Sequence, residues 1–282
     1  MKKIEEFKKK HEEINKDLLF NKQWHSYKYG TQKLKSVTTF VKEFFPEFNK
    51  EYHSKRVAER DGVSVAEVLS TWEKKRDESL ERGNKVHELC DNFITGKVTE
   101  SNNVWFGTIK KFFEDHKDLK LIGCEMKICY PEKGIAGTMD LLMCDEQENV
   151  YIFDWKTNES IDVNKEYQKG KKPIEHLFDN NYIHYSLQLN FYAYILKEKY
   201  GLEVNNLNLI HLTPDSYTLY EAVDCDTEVK AMLSHTTGGH EHEWQPIYCK
   251  GDFLEGKPFE VRVLMYCKCN KIKWEEVSFE GD

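Results

Sequence analysis

The stretch Ile135-Ala-Gly-Thr-Met-Asp-Leu-Leu-Met143, followed by Cys144-Asp-Glu-Gln-Glu-Asn149 and then Val150-Tyr-Ile-Phe-Asp-Trp-Lys-Thr157, decides how this chain is read. Two short apolar runs rich in strand-favouring residues flank a polar, turn-forming hexapeptide, which is the pattern of a β-hairpin. On the second strand the two-residue period puts Asp154 and Lys156 on one face and Trp155 on the other. Asp140, near the end of the first strand, brings a second carboxylate toward them. An Asp and a Lys two apart on a strand are usually a surface ion pair. Two acids converging with a lysine are also what metal-assisted phosphodiester hydrolysis needs: the acids hold a hard divalent cation, and the lysine orients water or offsets developing negative charge.

Outward from the hairpin, Leu121 to Tyr130 reads as a third strand, giving an antiparallel meander. Glu125 within it either reaches the same cluster or pairs with Lys127. Upstream, Asn84 to Ile94 has helical periodicity, with Val86, Leu89, Cys90 and Phe93 facing inward and His87 at the edge of that face. Downstream, Tyr182 to Tyr200 is a strongly apolar helix in which Gln188 and Tyr192, four apart, share a face. A buried glutamine needs a hydrogen-bond partner, which a nearby carboxylate or lysine supplies.

The rest of the chain reads as helices over 1–20, from Ser36 until Pro46, over 51–61, 64–80 (interrupted at Arg82-Gly83) and 103–116. A short hairpin or loop is expected over 24–35, strands over 207–212, 217–223 and 259–266, and a short helix over 226–234. The class is α/β, with a helical N-terminal region over 1–80, a core over 81–234 and an acidic, β-rich extension over 235–282 packed on it. No apolar run is long enough to span a membrane. The lysine-rich start, Met-Lys-Lys-Ile-Glu-Glu-Phe-Lys-Lys-Lys, lacks the apolar core of a secretory signal, so a cytoplasmic location with reduced cysteines is expected.

The net charge of -8 argues against a protein that coats nucleic acid all over its surface. Its distribution matters more. Residues 1–60 hold 15 Lys+Arg against 9 Asp+Glu, a net of +6, whereas residues 201–282 hold 7 against 15, a net of -8. The basic segment is either part of a nucleic-acid groove or a solvated helix. The polar stretch from Asn158 to Asn181, with Lys165, Lys169, Lys171 and Lys172, is either a clamp on nucleic acid or a solvated loop. In the tail, His235, His240, His242, Cys249, Cys267 and Cys269 have spacings that match no standard zinc finger, which leaves a structural zinc as the lesser reading.

Taken in order, His87, Glu125, Gly137-Thr-Met-Asp140, Asp154-Trp-Lys156 and Gln188-x-x-x-Tyr192 resemble the RecB-type branch of the PD-(D/E)XK nuclease superfamily. Ser36-Val-Thr-Thr39 and Asp154-Trp-Lys-Thr157 are similar in wording to the mitochondrial genome-maintenance exonucleases and related phage nucleases. The superfamily's eponymous proline is absent, since Met139 precedes Asp140. The resemblance implies a restriction-endonuclease-like core of a mixed sheet flanked by helices. It implies Mg²⁺ or Mn²⁺ held by His87, Asp140, Asp154 and the Trp155 carbonyl. Lys156 would act on the attacking water, Gln188 would steady the lysine or substrate, and Tyr192 would contact the scissile strand. The tight cysteine triplet of iron–sulfur relatives is missing, so no cluster is expected. The activity expected is that of a metal-dependent DNA exonuclease preferring single strands or free ends, with a helicase or recombination partner open. The alternatives are a structure-selective or double-strand nuclease, and a non-catalytic DNA-binding or regulatory subunit.

Overall fold

The computed structural model describes residues 2–166, 168–238, 245–250, 259–266 and 272–279. Two units are distinguished, residues 1–233 and 234–282.

The first unit is built on a mixed sheet with helices on both faces. Its strands are β1 (Leu18–Asn21), β2 (Ser26–Tyr29), β3 (Gln32–Ser36), β4 (Lys120–Tyr130), β5 (Ile135–Cys144), β6 (Val150–Lys156), β7 (Asn206–Leu212) and β8 (Tyr217–Glu221). The path runs β1-β2-β3-β5-β6-β7-β8, with β4 paired to β5 off it. The meander β4-β5-β6 is antiparallel, and β6-β7 and β3-β5 are parallel.

The register of β5 creates the opening on which the site is built. One of its edges is paired with β4 along the whole strand. The other is shared: β3 pairs only Ile135 and Ala136, and β6 pairs only Leu141 to Cys144. Gly137 to Asp140 therefore face a split between two neighbouring strands.

The helices are α1 (Lys2–Asn15), α2 (Val37–Glu43), α3 (Lys50–Asp61), α4 (Val65–Ile94), α5 (Phe106–Asp115), α6 (Asn181–Ile195, continued by a π turn over Leu196–Tyr200) and α7 (Asp226–Gly238). On one face Leu187, Phe191 and Ile195 of α6 pack with Phe40 of α2, Met139 and Ile152. On the other, Val86 and Leu89 of α4 and Ile109 and Phe112 of α5 pack on Leu141, Phe153 and Trp155. No described helix is long and apolar enough to cross a membrane. In the second unit, β9 (Gln245–Lys250), β10 (Phe259–Tyr266) and β11 (Ile272–Phe279) form an antiparallel sheet in the order β11-β10-β9.

Two expectations are corrected. The first helix stops at Asn15, whose side chain is tied to the rest of the fold: Nδ2 donates to the Lys127 carbonyl (2.7 Å) and Oδ1 accepts from the Tyr200 hydroxyl (2.8 Å). Leu18 to Asn21 then form a strand. Residues 1–80, expected as a helical N-terminal region, also hold β1–β3, which belong to the main sheet, and Ile4, Phe7 and Phe40 belong to its core. Arg82-Gly83 does not interrupt α4, which runs unbroken for 30 residues from a Ser64–Glu67 capping box, so a boundary near residue 80 falls inside a helix. An interior glycine costs a helix about 1 kcal/mol, and the packing of Val86, Leu89 and Cys90 outweighs that.

Candidate active site

Asp140, Glu125 and His87 come from three elements and meet at the split in the sheet. Their ligand atoms, one per residue, all lie within 4.8 Å of one another. His87 Nδ1 is 3.4 Å from Asp140 Oδ1 and 3.6 Å from Glu125 Oε1. The unbroken α4 carries the imidazole in from above β5. Glu125 has a backbone φ of +46°, the left-handed region that a residue with a Cβ rarely occupies. The β4–β5 register also slips between Leu121 and Gly123, so the strand is bulged just before Glu125.

Asp140 Oδ2 accepts a 2.8 Å hydrogen bond from the backbone N–H of Trp155. Its other oxygen is left facing His87. Asp154 is buried, with 2% of its surface exposed. Its Oδ1 accepts from Gln188 Nε2 at 3.4 Å. Its Oδ2 is ion-paired with Lys156 Nζ but lies outside hydrogen-bond geometry, and is the one buried side-chain oxygen among the described residues without a hydrogen-bond partner. Withdrawing a carboxylate from water is costly, and the Lys156 ammonium offsets part of that cost.

The electrostatics follow from burial opposed by charge. Burial disfavours the charged imidazole of His87, but the Asp140 charge and hydrogen bonds to Asp140 and Glu125 overcome it and raise the group to about 10. For Asp140, burial acts upward, and His87, Lys156 and the Trp155 N–H together hold it below the usual carboxylate range. Burial and the neighbouring Asp140 charge push Asp154 up to about 6 despite Lys156. Burial also opposes the charge on Lys156, and Asp154 and Asp140 reverse this, so the ammonium keeps its proton.

Gln188 Nε2 also donates to the Tyr192 hydroxyl at 2.9 Å. Tyr192 is buried beneath β5, against Gly137, where a Cβ would lie 2.4 Å from its Cε1. The tyrosine expected to touch a substrate strand thus stands under the site, with its hydroxyl engaged by Gln188. Trp155 packs its ring among Phe112, Phe153 and Val86 on the opposite face from Asp154. The loop lysines are exposed and make contacts within the protein: Lys165 pairs with Asp162, Lys169 lies over the Phe178 ring, and Lys171 donates to the Glu43 carbonyl at 3.1 Å. Lys172 is exposed. In the tail, His235 lies on α7 and Cys249 on β9, while His240, His242, Cys267 and Cys269 lie outside the described residues.

Sequence reasoning missed two residues at the end of β6, one beside Lys156 and one on Thr157. Tyr185 places its ring 4.3 Å from Nζ, and its hydroxyl donates to Asn158 Oδ1 at 2.9 Å. Tyr185 precedes Gln188 by three and Tyr192 by seven, so all three line one helical face, a spacing visible in the sequence. Arg82, whose Nε donates to the Thr157 carbonyl at 3.2 Å, ties α4 to the end of β6.

The donor set of three carboxylates and one imidazole suits a hard divalent metal such as Mg²⁺ or Mn²⁺. The family model of the PD-(D/E)XK nuclease superfamily matches residues 47–247. No curated protein matches the sequence. Among solved structures, one described as "Crystal structure of SSO0001" is 16% identical and covers 82% of each chain, with a TM-score of 0.34, too low a likeness to argue from. The family match spans more than half of the sequence and contains every residue of this cluster, and the protein belongs to the PD-(D/E)XK nuclease superfamily.

Proposed function

We propose that the protein is a divalent-metal-dependent DNA exonuclease that acts on single strands or free ends. The observation that carries this reading is the convergence of His87, Glu125 and Asp140, whose ligand atoms lie within 4.8 Å of one another, beside the buried Asp154–Lys156 ion pair. Asp140 and Asp154, with Glu125, His87 and the Trp155 carbonyl around them, would hold Mg²⁺ or Mn²⁺. Bound there, the metal supplies Lewis-acid polarisation and charge neutralisation at the phosphate.

The chain's own groups do the remaining work. Lys156, kept protonated by two carboxylates, donates hydrogen bonds to water or to a phosphate oxygen as negative charge develops. Tyr185 and Asp154 restrict where its ammonium can go. Gln188 fixes Asp154 and is itself placed by Tyr192. The preference for unpaired ends draws on the basic charge of residues 1–60 and on the RecB-like motif order.

The test compares linear with circular single-stranded DNA in Mn²⁺. Loss of the linear strand with the circle intact supports the exonuclease. Equal loss of both makes the enzyme an endonuclease, and stability of both in Mg²⁺ and in Mn²⁺ removes the enzymatic reading.

A further inference from the structure

The hairpin β1–β2 has no part in the metal cluster, yet its composition is unlike the rest of the chain. Residues 16–36 contain five lysines (Lys16, Lys22, Lys28, Lys33 and Lys35) and one acid (Asp17), a net of +4 in a protein of net -8. Interleaved with them are Phe20, Trp24, His25, Tyr27 and Tyr29. Trp24, at the hairpin tip, is 73% exposed, the most exposed of the large apolar side chains described. The tip is nonetheless formed: the Asn21 side chain accepts from the Trp24 backbone N–H at 3.0 Å, and His25 holds a left-handed φ of +41°.

The hairpin is anchored beside the cluster. The Tyr27 hydroxyl hydrogen-bonds the Thr138 hydroxyl at 2.8 Å, two residues before Asp140, and Glu125 and Asp140 both act on that phenol. The Phe20 ring is 4.8 Å from Tyr27 and 5.3 Å from His25. Lys127 Nζ lies 5.5 Å from the Phe20 ring and donates to the Glu125 carbonyl at 3.2 Å. A succession of aromatic and cationic groups thus leads from His25, next to Trp24 in the chain, through Phe20 and Lys127 to Glu125. Bases have an aromatic face and the backbone is anionic, so such a succession suits an unpaired polynucleotide.

We propose that the β1–β2 hairpin is a stacking platform for unpaired nucleotides of the strand being cut, with a base on Trp24 and phosphates along Lys22, Lys28 and Lys127. The proposal rests on the nuclease reading. It also commits to nucleic acid over a protein partner, because the patch is cationic and the remainder of the protein is acidic. A base stacked on Trp24 is a few nucleotides from the cluster, since the tip is three residues from Tyr27.

The test is binding of dye-labelled oligo-dT, and of an abasic oligomer of equal length, by full-length protein in EDTA. Oligo-dT affinity is expected to fall on the order of tenfold in Trp24→Ala, and less in Trp24→Phe. Abasic binding should be the same in wild type and Trp24→Ala, and weaker in Lys22→Ala. Melting temperatures report that each variant folds. Equal oligo-dT affinity of wild type and Trp24→Ala, in a protein that does cut DNA, overturns the platform and leaves the nuclease reading standing. A wild type that neither binds nor cuts DNA overturns the nuclease reading and the platform with it.

Discussion

The backbone N–H of Trp155 donates to Asp140 Oδ2 just where the β5–β6 ladder ends, one position beyond Leu141 and two beyond Phe153, its last pair. A side chain thus takes over from the backbone at the point where the strands part. Asp140 is thereby held with one oxygen on the Trp155 N–H and the other toward His87. The cluster is pre-organised by the sheet, which is what a preformed electrostatic site requires.

Lys156 is positioned by Tyr185, and a change there should separate rate from binding. Tyr185→Phe keeps the ring and should leave turnover close to wild type. Tyr185→Leu removes it and should lower kcat about tenfold with KM little changed, the size expected when a partly desolvated cation–π contact is lost. Steady-state cleavage kinetics check this, and a KM change with unaltered kcat would contradict it.

Gly137→Ala should destabilise the protein by about 1–3 kcal/mol, because its Cβ must displace the buried Tyr192 ring. Denaturant unfolding measures this. Movement of Tyr192 also disturbs the Gln188 bond to Asp154, so the variant should lose activity at temperatures where it is still folded.

Glu125 occupies a left-handed backbone conformation. Glycine adopts it freely and alanine does not, so Glu125→Gly should be more stable than Glu125→Ala by about 1 kcal/mol. Both remove the carboxylate and should bind Mn²⁺ more weakly than wild type. An alanine variant at least as stable as the glycine variant would show that the position carries no strain.

Burial lowers His11 below its ordinary value, against a hydrogen bond to the Lys127 carbonyl that favours the charged form. The folded state therefore binds fewer protons there than the unfolded chain, so stability is lost as pH falls below about 6.5. Burial lowers His184 as well, with the same sign. His87 is raised, and its contribution grows as pH falls from about 10 and is complete below about 6.5. Comparison of wild type with His11→Gln cancels His87 and His184. Wild type should lose more melting temperature than His11→Gln between pH 7.5 and pH 5.5, and equal losses would refute the assignment.

The meander and its acids were legible because β-branched and aromatic runs flanked a polar turn, and because a two-residue period fixes which side chains share a face. Gln188 and Tyr192 were legible from the four-residue spacing of a helix. The left-handed turn at Glu125 was not, since a glutamate in an apolar strand carries no signal for it. Nor was β1: Ile14 and Leu18, four apart, continue the stripe of Ile4 and Phe7, and no glycine or proline marks the end of α1. The bonds of Asn15 to Lys127 and Tyr200 at that end are long-range and leave no local signal in the sequence. The burial of Tyr192 was not legible, because a buried Tyr and an exposed one look alike in a sequence; Gly137 makes room for its ring.

The most direct test of the site is cleavage of end-labelled single-stranded DNA by wild type and by Asp154→Ala, each in Mn²⁺ and in EDTA, with melting curves confirming that both fold. Asp154, buried beside the cluster and ion-paired with Lys156, predicts cutting by wild type in Mn²⁺ alone and a fall of at least about a hundredfold in the variant. Equal cutting by a folded Asp154→Ala, or cutting by wild type that persists in EDTA, would contradict the assignment of this cluster as the metal-dependent centre.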